Sequence, residues 1–399
     1  TAGKINCGVT CSASFNMGTQ VTLAVSAEPN NQFEKWAGAC TGTSTSCVVT
    51  IDAVKSVTAF FTTNLITFNQ PKEFESTVLA LLPATNNSGD LYVGGSFTTY
   101  NSPSVGSNFL IRLNSNGTND AGFAIGSGFN SLVRVIAPAT DGSGDIYFGG
   151  PFNSYNGTAS ISIIRLHADG TIATGFAVGT RFGTGSDLYA LLLAADVSRE
   201  IYAGGAFTDY DGTSTNRIVR LNPDGTIDSG FNIGTGFGGT VLALAPVTNG
   251  SGDLIGDLYV GGSFSSYQGE ISNLIIRLND NGTVDPGFVV GTFSEGEVRA
   301  LLAATDGSND LYAGGTFTGY NGTSSNKIIR LNATGSADVG FAIGNGFGTD
   351  PSENISILAA ETDVSNDLYA GGSFVLYDGT SSAVSVERIA RISSIGTIR

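Results

Sequence analysis

The sequence predicts an all-β protein: a six-bladed β-propeller of four-stranded blades, closed by an N-terminal strand and preceded by a small disulfide-stapled β-module. Three observations predict this class. One ten-residue segment recurs six times at a nearly fixed spacing. Its neighbouring runs have no 3.6-residue period and are apolar on both faces. All four cysteines lie within the first fifty residues.

Self-similarity at a fixed period signals a repeat architecture. LYVGGSFTTY begins at Leu91 and returns as IYFGGPFNSY, IYAGGAFTDY, LYVGGSFSSY, LYAGGTFTGY and LYAGGSFVLY. The glycine pairs start at positions 94, 149, 204, 261, 314 and 371, with successive differences of 55, 55, 57, 53 and 57. Each copy is preceded by an apolar run such as VLALLP from Val78, and followed by a run such as IVRL around Arg220. A glycine-containing turn and a Gly-Phe come next, at Phe123, Phe176, Phe231, Phe288 and Phe341. Each repeat therefore reads as four short antiparallel strands, and six such units are the arithmetic of a propeller. A strand such as IVRL, apolar on both phases, must be covered on both sides, as a blade is by its neighbours. The sixth repeat stops at Arg399 before any Gly-Phe, whereas Leu65–Asn69 precedes the first repeat in the slot of that strand. The expectation is that 65–69 completes the last blade and closes the ring within the chain, removing exposed edges.

This pattern resembles the delta-sixty repeat of bacterial proteins: apolar-Tyr-x-Gly-Gly-x-Phe, an aliphatic-Arg-aliphatic strand, then Gly-x-x-Asp-x-x-Phe. The resemblance covers residues 65–399 and implies a propeller in a large surface or secreted protein, with no particular reaction. Residues 1–61 resemble the divergent internalin-type B repeat. The matching features are Cys7–Cys11, the Gly18–Leu23 strand, Phe33 with Trp36, and the closing strand Val57–Phe60. That family implies a spacer or contact module in multidomain surface chains. Residues 62–64 are the linker.

Composition narrows the function. Charged residues are 13% of the chain and the formal net charge is −16, which disfavours nucleic acid and anionic membrane as partners. No apolar run is long enough to span a bilayer. Thr1 stands where a start methionine would, so the chain reads as a mature form or a fragment. Cys7, Cys11, Cys40 and Cys47 read as disulfides in an oxidising compartment, with local pairs Cys7–Cys11 and Cys40–Cys47 favoured. Structural zinc is the competing reading, but the spacing of the second pair is wide for it. A sheet this small has little core, and the bridges would add the missing stability.

Candidate chemistry is sparse. The lone histidine, His167, stands in a turn where other repeats have Asn, and no nucleophile elbow, His pair or phosphate loop accompanies it. The expectation is no enzyme and no cofactor. Arg112, Arg165, Arg220, Arg277, Arg330 and Arg391 recur in the third strand. Four of them have an Asp eight residues on: Arg112 with Asp120, Arg220 with Asp228, Arg277 with Asp285, and Arg330 with Asp338. Across a tight turn this spacing predicts repeated structural ion pairs; repeat 2 has Ala173 instead. Calcium is a weaker reading of Asp141, Asp145, Asp306 and Asp310, whose DGSGD and DGSND loops alternate oxygens but lack a distal bidentate Glu. Twelve of the thirteen tyrosines sit in the repeated segment and read as core. Trp36 and Tyr189 fall outside the pattern and are the better candidates for a binding surface. Asn-x-Ser/Thr sequons, several of them Asn-Gly-Thr, read as turns first. The function expected is a non-enzymatic extracellular bacterial surface protein, structural or adhesive, extending to self-assembly into a filament. Its partners would be copies of itself, other surface proteins or glycans. The alternative is a carbohydrate- or ligand-binding, lectin-like propeller.

Overall fold

The computed structural model describes residues 13–25, 31–63, 74–86, 88–100, 105–176, 182–183, 186–194, 198–248, 254–344, 346–348, 350, 352–361, 366–378, 383–385 and 388–398. Among these there is no helix, and no segment that could cross a membrane as one. The chain divides into two compact units. The first comprises Thr1–Lys72 with Ala84–Leu91 and Leu113–Thr118, and the second the remainder. The expected closing strand 65–69, together with Cys7 and Cys11, lies outside the described residues.

In the first unit two antiparallel hairpin-like sheets form. Gln20–Ala24 pairs with Ser46–Thr50, and Asn31–Gly38 with Val57–Thr63. Their alternation turns Trp36, Cys40 and Val49 into a common core, against which Leu23, Phe33, Val57 and Ala59 pack. Trp36 is buried, and its indole N–H donates to the Ser44 carbonyl at 2.8 Å, so the ring enters the core with its polar edge satisfied.

In the second unit each repeat forms one three-stranded antiparallel sheet in the order first, second, third strand. Repeat 3 is typical: Leu188–Leu193, Ile201–Gly205 and Ile218–Leu221, in register Tyr202↔Arg220 and Gly204↔Ile218. The fourth strand is shorter than the sequence suggests. In repeats 2 to 6 it amounts to a single bridge: Leu166↔Ile172, Leu221↔Ile227, Leu278↔Val284, Leu331↔Ala337 and Ile392↔Ile398. The physical cause is visible in repeat 3. The Asp228 N–H bonds back to the Arg220 carbonyl, and the Asp228 carboxylate then accepts from the Gly230 N–H at 2.9 Å. That side-chain turn takes the backbone out of the ladder. The following Phe folds onto the second-strand tyrosine instead of extending a strand. Tyr202 and Phe231 meet edge-on at 5.4 Å, as do Tyr259 and Phe288 at 5.1 Å.

Each repeat also forms a second, smaller hairpin that the repeat pattern does not predict. Ser154–Tyr155 pairs with Thr158–Ala159, and Ser266–Tyr267 with Glu270–Ile271. A phenylalanine six residues after most of the Gly-Phe positions bridges the hairpin tyrosine, as Phe129 does Tyr155 and Phe237 does Tyr267. The ring triplet Phe237, Phe264 and Tyr267 packs with centroids 4.5 Å apart on each side of Phe237. The tyrosine hydroxyl then reaches a turn carbonyl: Tyr155 to Gly170 at 2.7 Å, Tyr267 to Gly282 at 2.6 Å, Tyr320 to Gly335 at 2.5 Å.

Core clusters straddle consecutive repeats. Ile163 and Tyr147 of repeat 2 share one with Leu188 and Phe182 of repeat 3, and Ile328 of repeat 5 shares another with Ile355 of repeat 6. The glycine pairs permit this. A Cβ on Gly204 would lie 2.5 Å from Val241 Cγ1 of the next repeat, and one on Gly205 2.2 Å from the Asp187 carbonyl oxygen. The first glycine admits the neighbouring sheet. The second lets its own first strand approach, beside the register shift at Leu188/Ala190. Gly204→Ala is therefore expected to lower stability by about 1–3 kcal/mol through overpacking, measured by chemical unfolding.

Candidate functional site

The recurrent arginine is the most heavily bonded side chain of the repeat. Hairpin geometry puts residue i+8 beside it, because the two backbones pair directly across the turn. The four sequence pairs are brought together: Arg112 Nε lies 3.2 Å from Asp120, Arg220 Nε 2.6 Å from Asp228, Arg277 Nε 2.5 Å from Asp285, and Arg330 Nε 3.2 Å from Asp338. The planar guanidinium has donors to spare. It also bonds the tyrosine hydroxyl of the second strand, as in Arg220 to Tyr202 and Arg330 to Tyr312, both at 3.0 Å. A further N–H crosses to the next repeat. Arg112 donates to the Ala168 carbonyl at 3.0 Å, Arg220 to Asp280 at 2.8 Å, Arg277 to Ala333 at 3.1 Å, and Arg330 to Ser394 at 3.1 Å.

The loop aspartates considered for calcium lie on these guanidinium groups. Arg165 bonds Asp141 at 2.5 Å and Asp145 at 2.8 Å; Arg330 bonds Asp306 at 2.6 Å and Asp310 at 2.8 Å. Repeat 2, which lacks the Asp at +8, thus satisfies its arginine from the loop before the second strand. Arg391 of repeat 6 does the same with Asp367 at 2.9 Å. The signal was in the sequence: an acidic residue precedes every second strand, at Asp90, Asp145, Glu200, Asp257, Asp310 and Asp367. Burial raises the Asp141 carboxyl, but hydrogen bonds from Ser143 and the Arg165 charge outweigh it and hold the group at about 2. Burial likewise opposes, and Ser308 and Arg330 overcome, so that Asp306 is lowered. The tyrosines inside these knots move the other way, and burial pushes Tyr202 and Tyr312 up to about 12. His167 is half-exposed, with Nδ1 2.8 Å from Asp145. Among the described residues no cluster of three or more His, Cys, Asp or Glu could hold a metal. Cys40 and Cys47 form a disulfide, Cα to Cα 6.2 Å, beneath Trp36.

One group of side chains departs from the repeat. At the start of the first strands, where other repeats carry residues such as Thr77 and Leu79 or Thr240 and Leu242, repeats 2, 3 and 5 carry polar groups. Arg134 grips Asp187 through Nε at 2.9 and 2.8 Å and lies 4.7 Å over the Tyr189 ring. Tyr189 bonds Asp187 and feels the charge of Glu297, which pairs with Arg299 at 2.5 Å. Burial raises the Asp187 carboxyl despite Arg134, and burial with Asp187 raises the Tyr189 hydroxyl. The arrangement offers an aromatic face, two carboxylates and two guanidinium groups, suited to hydrogen-bonding and stacking on a polyol. Sequence reading singled out Tyr189 alone. The other four could have been found as breaks in the pattern at one strand position.

Three-stranded antiparallel sheets, recurring with each repeat and cross-bonded by arginine, fit a β-propeller repeat protein. Residues 87–123, 142–176, 199–231, 256–288 and 307–341 match the family profile described as Domain of unknown function (DUF5122) beta-propeller. Residues 1–65 match the Divergent InlB B-repeat domain. No curated protein matches the sequence. Among solved structures, the WD40 beta propeller domain of Doa1 aligns at 12% identity and a TM-score of 0.47, over 79% of this chain and 78% of that one.

The lowered Asp141 carboxyl has a defined pH consequence. With its folded value at about 2, below the ordinary aspartate value of 3.8, its contribution is fully present above roughly pH 4 and lost as pH falls toward 2. Thermal melts from pH 5 to pH 2 should show a shallower acid-induced fall for Asp141→Asn than for the wild type, with the variant less stable at pH 5.

Proposed function

We propose that the chain is a non-enzymatic, extracellular bacterial surface protein with a structural or adhesive role. In this reading its six repeats are the six blades of a propeller, of the delta-sixty kind, and the N-terminal module is a spacer or contact domain. The observation that carries it is the use of the charged side chains. The repeats' arginines and aspartates are spent on one another and on the next repeat, as scaffold ion pairs, not gathered around a reactive group. The B-repeat match points the same way, since such domains belong to bacterial surface proteins. By sequence, residues 65–69 would supply the ring that follows the fourth strand in the other repeats. Phe68 precedes Phe74 by six residues, as Phe123 precedes Phe129 and Phe341 precedes Phe347.

A second reading, a lectin-like propeller, is favoured by the Arg134–Asp187–Tyr189 group, whose half-buried aromatic and carboxylate are a chemistry that sugars use. Two measurements separate the readings. Antibodies against the purified protein should label intact, unpermeabilised bacteria; labelling only after lysis would overturn the surface role. On a glycan array the structural reading expects no signal above background, whereas a specific glycan lost on Tyr189→Ala would establish the lectin.

A further inference from the structure

The repeats supply their own control for which side chains the fold requires. In repeats 3 to 6 the register between the first and second strands shifts, so that the ladder passes over Tyr189, Leu242, Arg299 and Ser356. Leu79 and Arg134 hold the same place in repeats 1 and 2. The residue just before it packs on the preceding repeat, and Val133, Leu188, Val241, Val298 and Ile355 are fully buried there. The passed-over residue is at least partly open to solvent in all six repeats. Repeat 1 carries Thr77 and Leu79 here, and repeat 4 Thr240 and Leu242. Repeat 4 makes the same register shift with those residues as repeats 3 and 5 make without them. The fold therefore requires neither a charge nor an aromatic ring at these positions.

Arg134, Asp187, Tyr189, Glu297 and Arg299 are nevertheless there, and they are gathered. The first strands of consecutive repeats lie against one another. Arg134 reaches Asp187 of the next repeat at 2.8 Å, over the Tyr189 ring. Tyr189 feels the charge of Glu297, although repeat 4 lies between them in sequence. Arg299 pairs with Glu297 at 2.5 Å and is 40% exposed. The Asp187 carboxylate is only 14% exposed, an unfavourable place for an acid whose counterparts in repeats 1 and 4 are threonines. Two guanidinium groups and two carboxylates leave the group with no net charge. An anion entering it would meet Asp187 and Glu297; a cation would meet Arg134 and Arg299. A neutral ligand rich in hydroxyls finds a donor beside an acceptor in each arginine–carboxylate pair, which adjacent hydroxyls can satisfy together, and an aromatic ring to lie against.

We propose that these five side chains form a single binding site for a neutral saccharide, held through vicinal hydroxyls by the two arginine–carboxylate pairs and against its ring by Tyr189. The proposal rests on the lectin reading above and narrows it to a place, a ligand class and a stoichiometry. A site made by the repeat itself would recur in every repeat, whereas this combination of residues occurs once in the chain. Because the ligand carries no charge, its affinity does not depend on salt, although the chain as a whole has a formal charge of −16.

The test is an array of neutral, acidic and amino-sugar glycans, followed by calorimetric titration of the full chain with the strongest hit. One variant gives repeats 3 and 5 the residues of repeats 1 and 4, by Asp187→Thr, Tyr189→Leu, Glu297→Thr and Arg299→Leu, together with Arg134→Leu. Since sister repeats fold with threonine and leucine at these places, its melting temperature should equal or exceed that of the wild type. The wild type is expected to bind a neutral glycan, one per chain, equally at low and high salt, and the variant to bind none. Tyr189→Leu alone leaves both ion pairs in place and should weaken binding by about tenfold or more. A five-residue variant that melts well below the wild type would mark the group as scaffold and overturn the proposal. Binding confined to charged glycans, or lost at high salt, would overturn it too. A neutral glycan held equally by wild type and variant would overturn this site while leaving the lectin reading standing. Silence across the whole array would remove both and leave the structural reading.

Discussion

The arginine of the third strand is the joint on which the rest of the repeat hangs. One guanidinium takes a carboxylate through Nε, a tyrosine hydroxyl through another nitrogen, and in four repeats a carbonyl of the next repeat. Lysine could not replace it, because a single ammonium cannot address three directions fixed by a plane. Burying a cation is unfavourable unless every donor is used, and here the cost is met by satisfying nearly all of them. The same bonds set where each tyrosine lies, and so where the Gly-Phe ring must pack. Local hairpin geometry, the intra-repeat core and the link to the next repeat are thus one network.

Two routes supply the carboxylate, and they are interchangeable. Repeats 1 and 4 use an aspartate across the hairpin; repeats 2 and 6 use the loop before the second strand; repeats 3 and 5 use both. This redundancy explains why Ala173 is tolerated in repeat 2. It also explains why the DGSGD and DGSND loops resemble hard-cation loops. Both must hold several oxygens around one positive centre, and here that centre is a guanidinium.

Much of the fold was legible in the sequence because the repeat is written six times. Chance patterns do not recur at spacings between 53 and 57 residues. The strand cores, the glycine pairs and the Arg-to-Asp spacing at +8 could be read from that recurrence. The reduction of the fourth strand to a bridge was not. Whether a backbone continues its ladder depends on competition from the Asp228-type side-chain turn, and strand and turn share the same residue string. The aromatic hairpin escaped for a related reason. Its strands are two residues long and form because Phe237 and Phe264 hold Tyr267 from other parts of the repeat.

The sequence by itself determined the class of the protein, its repeat number and its apolar faces, since these depend on composition and period alone. Tertiary structure decided which carboxylate each arginine would hold, because the repeat offers one twenty residues before it, such as Asp145 for Arg165, and in four repeats another eight residues after it, and only packing selects between them. It also decided that Arg134, Asp187, Tyr189 and Glu297, from three different repeats, come within reach of one another. Above all it decided the ends. Ile389 and Ile328 occupy the same place in the repeat, yet one is covered and the other open. A periodic sequence assigns them the same role, and only the presence or absence of a following sheet makes them differ.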